Sequence, residues 1–453
     1  MLFNSLSYLF LLLVVCILYW TFKKNHSVRN AILIGASFTF YAYWDYRFFS
    51  LILISGLIDF FAAQKIHQSQ KQSVRKTWLV VSLVVNLGIL FFFKYYNFFI
   101  DSLSLITPIN KGFSTLEIIL PLGISFYTFQ TIGYTVDVYR KQLAPTSNIL
   151  SYFCFVSFFP QLVAGPIEKA ADLLPQFESK IIFSLDQFKL GLQRVLYGLI
   201  LKILIADQCA IYVNEIFGFY DEYNGMTIFL GVVLVTIQIY ADFSGYCHIA
   251  IGSAEMLGIK LTENFRFPLF ATSLQQFWHQ WHYTLGRWFK EYVYIPLGGN
   301  KRLIWSTLIT FFISGLWHGA SYTFVIWGIL HGVALITERY ITYRPKPVVG
   351  NLLTLGVFSF GLLMFRATSL PQAWNMFKKI IFDSLHFPNI LPLVLIAGIV
   401  LFVGYEFYCK QNRMLPFQIN LPRYPKLFLF ASIILLLFLY NNTGKYEFVY
   451  FQF

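Results

Sequence analysis

The sequence predicts an all-α, polytopic membrane protein, and three observations carry that expectation. Of the 453 residues, 57% are hydrophobic and only 12% charged, against about 25% charged in a soluble globular domain. Aromatic residues make up 20%, with 51 Phe among them. Apolar runs recur from end to end, and many approach the roughly twenty residues that a helix needs to cross a bilayer. The runs are continuous rather than alternating, which argues against a β-barrel. We therefore expect one membrane-embedded domain over residues 1–453, with no long soluble module attached.

The elements follow in order. Ser5–Phe22 has no basic leader and no small-residue cleavage site, so it is expected as a retained first span. Lys23, Lys24 and Arg29 mark the next loop as cytoplasmic. Two runs, about Ala31–Trp44 and Phe48–Ala63, lead to a second basic loop with Lys65, Lys71, Arg75 and Lys76. An even number of spans between two basic loops is the count that topology requires. Trp78–Phe99 leads out, Asp101–Glu117 is expected as an external loop, and Ile118–Tyr139 returns. Ser151–Pro166 is short and holds Pro160, Gly165 and Pro166, which suits a re-entrant segment, a conformation tolerated at membrane depth only when buried in protein or lining a cavity. Gln187–Asp207 mixes Lys189, Arg194 and Lys202 with leucines and reads as a helix tilted at the surface or packed inside. Met226–Leu257 is one long apolar stretch interrupted by Asp242-Phe243-Ser244-Gly245-Tyr246. Later spans fall at about Phe324–Arg339, Val348–Phe365, Leu391–Tyr408 and Lys426–Tyr440, with an amphipathic, interfacial Ala373–Ser384. Roughly ten to twelve spans fit at about twenty residues each.

The formal charge is +13. The basic residues lie in short loops between apolar runs, where they set orientation, and no nucleic-acid partner is expected. Five scattered cysteines form no Cys-x-x-Cys pair, so neither a disulfide framework nor a zinc site is indicated.

Four of the eight histidines fall between Ser273 and Gly332. Taken as one helix, Phe277–Tyr292 puts His279, His282, Gly286 and Lys290 on one stripe and Trp278, Trp281, Leu285, Trp288 and Tyr292 on another. The tryptophans suit anchoring at an interface. His279 is expected to be a hydrogen-bonded structural residue, and His282 is open to a site role. The pair lacks the acidic residue and third ligand of a metal site, so no metal is expected. His318 lies about fifteen residues into the span from Leu303, at a depth where an ionisable side chain is costly and marks function. Ser314, Gly315, Gly319, Ala320 and Ser321 surround it with small residues that allow close helix packing or room for a substrate. A neutral buried imidazole can take a proton from a hydroxyl; the alternative is a histidine satisfied by a neighbouring carbonyl. His331 resembles a packing partner. Asp242 either orients an imidazole or pairs with an arginine to hold two helices. Ser244 is not in a Gly-x-Ser-x-Gly setting, so no serine-hydrolase elbow is indicated.

Several stretches together are similar to the membrane-bound O-acyltransferase family, in particular its alginate and peptidoglycan O-acetylation branch. They are Pro121-Leu122-Gly123-Ile124-Ser125-Phe126-Tyr127-Thr128-Phe129-Gln130, Phe159-Pro160-Gln161-Leu162-Val163-Ala164-Gly165-Pro166-Ile167 and Asp242-Phe243-Ser244-Gly245-Tyr246. Asn264-Phe265-Arg266 with Pro268, Trp281-His282 with Tyr294-Ile295-Pro296-Leu297-Gly298-Gly299-Asn300, Gly315-Leu316-Trp317-His318-Gly319 and Tyr450-Phe451-Gln452-Phe453 complete the set. The resemblance implies acyl transfer through a central funnel, with a catalytic core at about 119–340. It implies His318 as catalytic histidine and His282 as the second active-site histidine, and it puts Asp242, Ser244, Trp281 and Trp317 among the substrate-binding candidates. It also implies a cytoplasmic acyl thioester (acetyl-CoA or an acyl carrier) as donor, no bound cofactor, the bacterial inner membrane, and an extracytoplasmic SGNH-type transferase as partner. Three positions depart from the family pattern: His279-Gln280 stands for two arginines, Thr284 for a serine, and Lys290-Glu291 for an Arg-Asp pair. The first removes positive charge that would meet an anionic donor. D-alanyl transfer uses the same architecture and stays open. A transporter with a buried His/Asp relay would show repeat symmetry, which the chain does not clearly carry. A membrane scaffold for a secretion complex, with His318 merely packed, is the third alternative.

Overall fold

The computed structural model describes residues 1–104, 115–341, 345–418, 421–440 and 448–449, which form helices and turns with no strand among them. Tyr450–Phe453, part of the family resemblance, and residues 105–114 of the expected external loop lie outside the described residues. Among the described residues six helical stretches are long and apolar enough to cross a membrane: His26–Gln68, Gln72–Ser104, Leu185–Gly218, Gly225–Met256, Pro347–Arg366 and Leu393–Gln411. Leu6–Thr21 and Tyr424–Tyr440 are shorter apolar helices. The expected ten to twelve spans also counted pieces that fold shorter or joined. His26–Gln68 holds two of them, divided by the short turn Tyr46–Phe48. Leu303–His318 has 16 residues, about 24 Å of helix.

The chain divides into two compact units, Met1–Leu192 with Ala250–Thr262, and Gln193–Ile249 with Glu263–Phe453. In the first, polar side chains pin the apolar helices. Asp59 accepts hydrogen bonds from Ser82 Oγ (2.5 Å) and Asn86 Nδ2 (2.8 Å), and Thr131 Oγ1 donates to Asn86 Oδ1 at 3.1 Å. These contacts tie Phe49–Gln68, Gln72–Leu90 and Ile124–Tyr139 together, and each contributes about 1 kcal/mol net. The expected re-entrant stretch is a nine-residue helix, Ile149–Ser157, followed by irregular backbone that stays buried through Ile167. Its groups are satisfied inside the unit: Gln130 Nε2 donates to Phe155 O at 2.6 Å, and Phe159 N donates to Ser37 Oγ at 3.1 Å. Buried, hydrogen-bonded backbone is the condition under which such a segment survives away from water.

In the second unit, helices Leu303–His318 and Tyr322–Tyr340 pack with their backbones almost touching. A Cβ on Gly315 would collide with the Phe324 carbonyl, and one on Gly328 with the Phe311 carbonyl. This is the small-residue packing anticipated around His318. Met226–Leu257 folds without a break in helix Gly225–Met256, so Asp242 to Tyr246 are helical. Ala373–Ser384 forms helix Leu370–Phe382, which buries Ala373 and Met376 while Trp374 is exposed.

Candidate active site

Phe277–Tyr292 is not one helix. The chain forms Leu274–Gln280 and Tyr283–Phe289, and between them His282 adopts the left-handed conformation, φ 43° and ψ 51°. The two expected stripes are therefore split at the histidine. The cause is Asn264, fully buried and 18 residues earlier. Its carbonyl accepts from Tyr283 N at 3.0 Å. Its Oδ1 accepts from Thr284 N (3.1 Å) and Thr284 Oγ1 (2.9 Å), and lies 3.2 Å from His282 Nδ1. A non-glycine residue at positive φ stores backbone strain, which persists when its surroundings over-determine it. Asn264 is the restraint that holds His282 there.

The same contacts settle the tautomer. Thr284 N–H only donates, so the Asn264 atom facing it is the amide oxygen, and the His282 nitrogen beside that oxygen must carry a proton. Nε2 is then the basic nitrogen. His282 is 3% exposed, and burial pushes its pKa down to about 3, so the ring is neutral near pH 7. The Phe243 ring meets it edge-on at 4.6 Å, and Trp317 lies at 6.0 Å.

His318 is the last residue of its helix. Its ring sits in an aromatic box, edge to Trp317 and Trp327 at 5.0 Å each and to Phe365 at 5.3 Å. Phe365 is the penultimate residue of helix Pro347–Arg366. His318 therefore lies at the Arg366 end of that helix, and Lys301 stands beyond the opposite end of Leu303–His318.

One cavity of about 1160 Å³ is lined by both His282 and His318. Ser314, Thr310 and Thr307 line it along one helix, and Trp281 lines it beside His282. The charged side chains exposed on its lining are basic: Lys290, Lys301 and Arg339 are exposed, and Arg287 is half-buried. Glu291 and Glu338 also line it. Glu338 is engaged, because Leu274 N and Gln275 N donate to its carboxylate at 2.8 and 3.0 Å. The cavity thus runs from an exposed cationic rim to two buried imidazoles. His279 is exposed along this lining.

The remaining candidates fall in two places. Trp281 is buried between Phe277, Phe265 and Phe358, with ring centroids at 5.5, 5.1 and 4.8 Å. Trp317 touches both histidine rings. Asp242 and Ser244 are buried but do not line the cavity. Asp242 is paired with Lys202 Nζ at 2.8 Å, a lysine where the sequence suggested an arginine. Ser244 meets Tyr240, whose hydroxyl also donates to Glu406 at 2.8 Å. Asn264 and Lys202 were the residues missed. Asn264 carried one signal, as a polar residue in a matched stretch; nothing local linked Lys202 to Asp242. Among the described residues no three His, Cys, Asp or Glu side chains converge as metal ligands would.

Comparison with known proteins identifies the family. Residues 139–349 match the model of MBOAT, the membrane-bound O-acyltransferase family. The chain is 37% identical over 390 residues to the "Probable alginate O-acetylase AlgI" of Pseudomonas aeruginosa, covering 83% of this chain and 74% of that protein. It is 36% identical over 425 residues to the peptidoglycan O-acetyltransferase of Helicobacter pylori, covering 84% and 80%. A teichoic acid D-alanyltransferase of Bacillus subtilis is more distant, 26% identical over 286 residues, with 54% and 68% covered. A polytopic helical protein with two buried histidines on one cavity, this chain is an acyltransferase and belongs to the membrane-bound O-acyltransferase family.

Proposed function

We propose that this protein moves an acetyl group from a thioester donor on the cytoplasmic side of a bacterial inner membrane to a hydroxyl on the other side, destined for an exported polysaccharide. One observation carries this reading: His282 and His318 line the same cavity, and that cavity opens among cations. A thioester on a phosphate-bearing arm, as in acetyl-CoA or an acyl carrier, meets complementary charge at the rim and reaches the imidazoles through the apolar interior. The relatives named for O-acetyl transfer, at 36–37% identity, favour acetyl over the D-alanyl group named for the relative at 26%.

In the chemical step, a hydroxyl reaches His318 from the Arg366 side. The imidazole takes its proton as the oxygen attacks the thioester carbonyl. The new C–O bond forms, the C–S bond breaks, and the proton passes to the departing sulfur as thiol. His282, neutral with its proton on Nδ1, offers Nε2 as an acceptor; it can hold a hydroxyl or thiol proton but cannot donate to an oxyanion through that nitrogen. Trp281 lines the cavity beside His282, and Trp317 packs against both imidazoles from outside it. The acceptor is the polysaccharide itself or an SGNH-type extracytoplasmic transferase that carries the acyl group onward.

The test is turnover of a radiolabelled acetyl thioester by the purified protein in detergent, with and without an acceptor. His318→Ala should lose at least 10³-fold in acceptor-dependent transfer, about the weight of a general base together with its positioning. Unchanged turnover in that variant would remove His318 from the chemistry and sink the proposal.

A further inference from the structure

The ion pair between Lys202 and Asp242 lies outside the cavity, yet it is tied to the wall behind His282. Helical segments around Gly198 and Gly245 approach so closely that a Cβ on Gly245 would sit 2.8 Å from Gly198 O and 3.2 Å from Lys202 N. This approach sets Lys202 Nζ 2.8 Å from Asp207 Oδ1 and 2.8 Å from Asp242 Oδ1. All three side chains are buried, Asp242 completely. The other oxygen of Asp242 accepts the backbone N–H of Val449 at 2.7 Å. Phe448 stacks on Tyr246, with centroids 4.7 Å apart and planes at 28°. It also lies 5.6 Å from Phe243, the ring whose edge meets His282 at 4.6 Å.

We infer that Lys202 and Asp242 are positioning residues that latch Phe448–Val449 against Phe243 and Tyr246, and through Phe243 fix the orientation of the His282 imidazole. A charge-assisted hydrogen bond to a carboxylate is among the stronger contacts a backbone N–H makes. Lys202 pairs with that carboxylate and aims it, because a buried charge needs a partner. Phe243 is then held on two sides, by Phe448 and by His282. The consequence for catalysis rests on the acyl-transfer reading above; the latch itself does not.

The experiment has two arms. The five native cysteines are buried, so a Val449→Cys reporter can be labelled with a maleimide over a low background. Val449 is 5% exposed, and the reporter should label slowly in the otherwise native protein. It should label at least tenfold faster when Asp242→Asn or Lys202→Met is added. In the second arm, Val449→Pro removes the donated N–H and leaves all three charges in place. It should lower kcat about tenfold with KM for the thioester unchanged, the pattern of a misaligned site rather than weakened binding. Equal labelling rates with and without Asp242→Asn overturn the latch. Unchanged kcat in Val449→Pro overturns its link to His282. Loss of the acyl-transfer reading would appear separately, as no turnover in a native protein whose reporter is still protected.

Discussion

Asn264 Oδ1 lies 3.2 Å from His282 Nδ1 while accepting two further hydrogen bonds from Thr284. One side-chain oxygen thus breaks a helix, fixes a tautomer and holds a strained backbone. Asn264→Leu should lower kcat about 10²-fold, the scale of a misplacement near 1 Å, and thioester turnover measures it. Asn264→Asp keeps the acceptor and adds a charge. The carboxylate should raise the His282 pKa, so the acidic limb of the rate profile should move to higher pH. An Asn264→Asp profile that overlays the native one would separate Asn264 from His282.

The buried neutrality of His282 also carries a stability cost with a definite sign. Its pKa falls from 6.5 in the unfolded chain to about 3 in the fold. Between those values the unfolded state binds the extra proton, so stability falls as pH drops from about 6.5 toward 3. Replacing the ring removes this dependence. The Tm of His282→Gln in detergent should therefore lose less than the native Tm on going from pH 7 to pH 4. Parallel Tm curves would mean that His282 is not held neutral by the fold.

These relationships were unevenly legible in the sequence. Long apolar runs gave the helices directly, because crossing a bilayer fixes both their length and their composition. His318 stood out for the same reason, as an ionisable side chain within an apolar run. The break at His282 was not, since no proline interrupts Phe277–Tyr292 and its spacing suits a helix throughout. The break is imposed by Asn264, brought there by the fold. Nor could spacing show that His282 and His318, 36 residues apart, line one cavity. Asp242 was visible as a buried charge, but its partner Lys202 lies 40 residues away and was hidden among the basic residues of an apparently amphipathic stretch.

The contact between Gly315 and Gly328 sets how close His318 comes to its aromatic box. Their Cα atoms face one another across the helix pair, so a side chain on Gly328 has no space to enter. Gly328→Leu should destabilise the protein by about 1–3 kcal/mol or more, as overpacking does. A fall in Tm and loss of a single peak on size exclusion are the readouts. Gly356, which has open space around a Cβ position, is the control: Gly356→Ala should leave Tm unchanged or raise it, since alanine is the better helix former.

The cationic rim makes a prediction that binding alone can test. Lys290, Lys301 and Arg339 are exposed on the cavity lining, where, on the acyl-transfer reading proposed above, they would attract an anionic donor without touching the reacting atoms. Lys290→Glu combined with Lys301→Glu should raise KM for acetyl-CoA at least tenfold and leave kcat nearly unchanged, because the lost interaction is equal in ground and transition states. The effect should shrink as salt rises from 50 to 500 mM, since exposed charges are screened over about 10 Å at 0.1 M. Acetyl-pantetheine, which has the thioester but no phosphates, should show the same KM with the native and doubly substituted proteins. A KM for acetyl-CoA that is indifferent to both substitutions and to salt would place the donor's anionic groups elsewhere, and the exposed lysines would then be solvated surface charges with no part in binding.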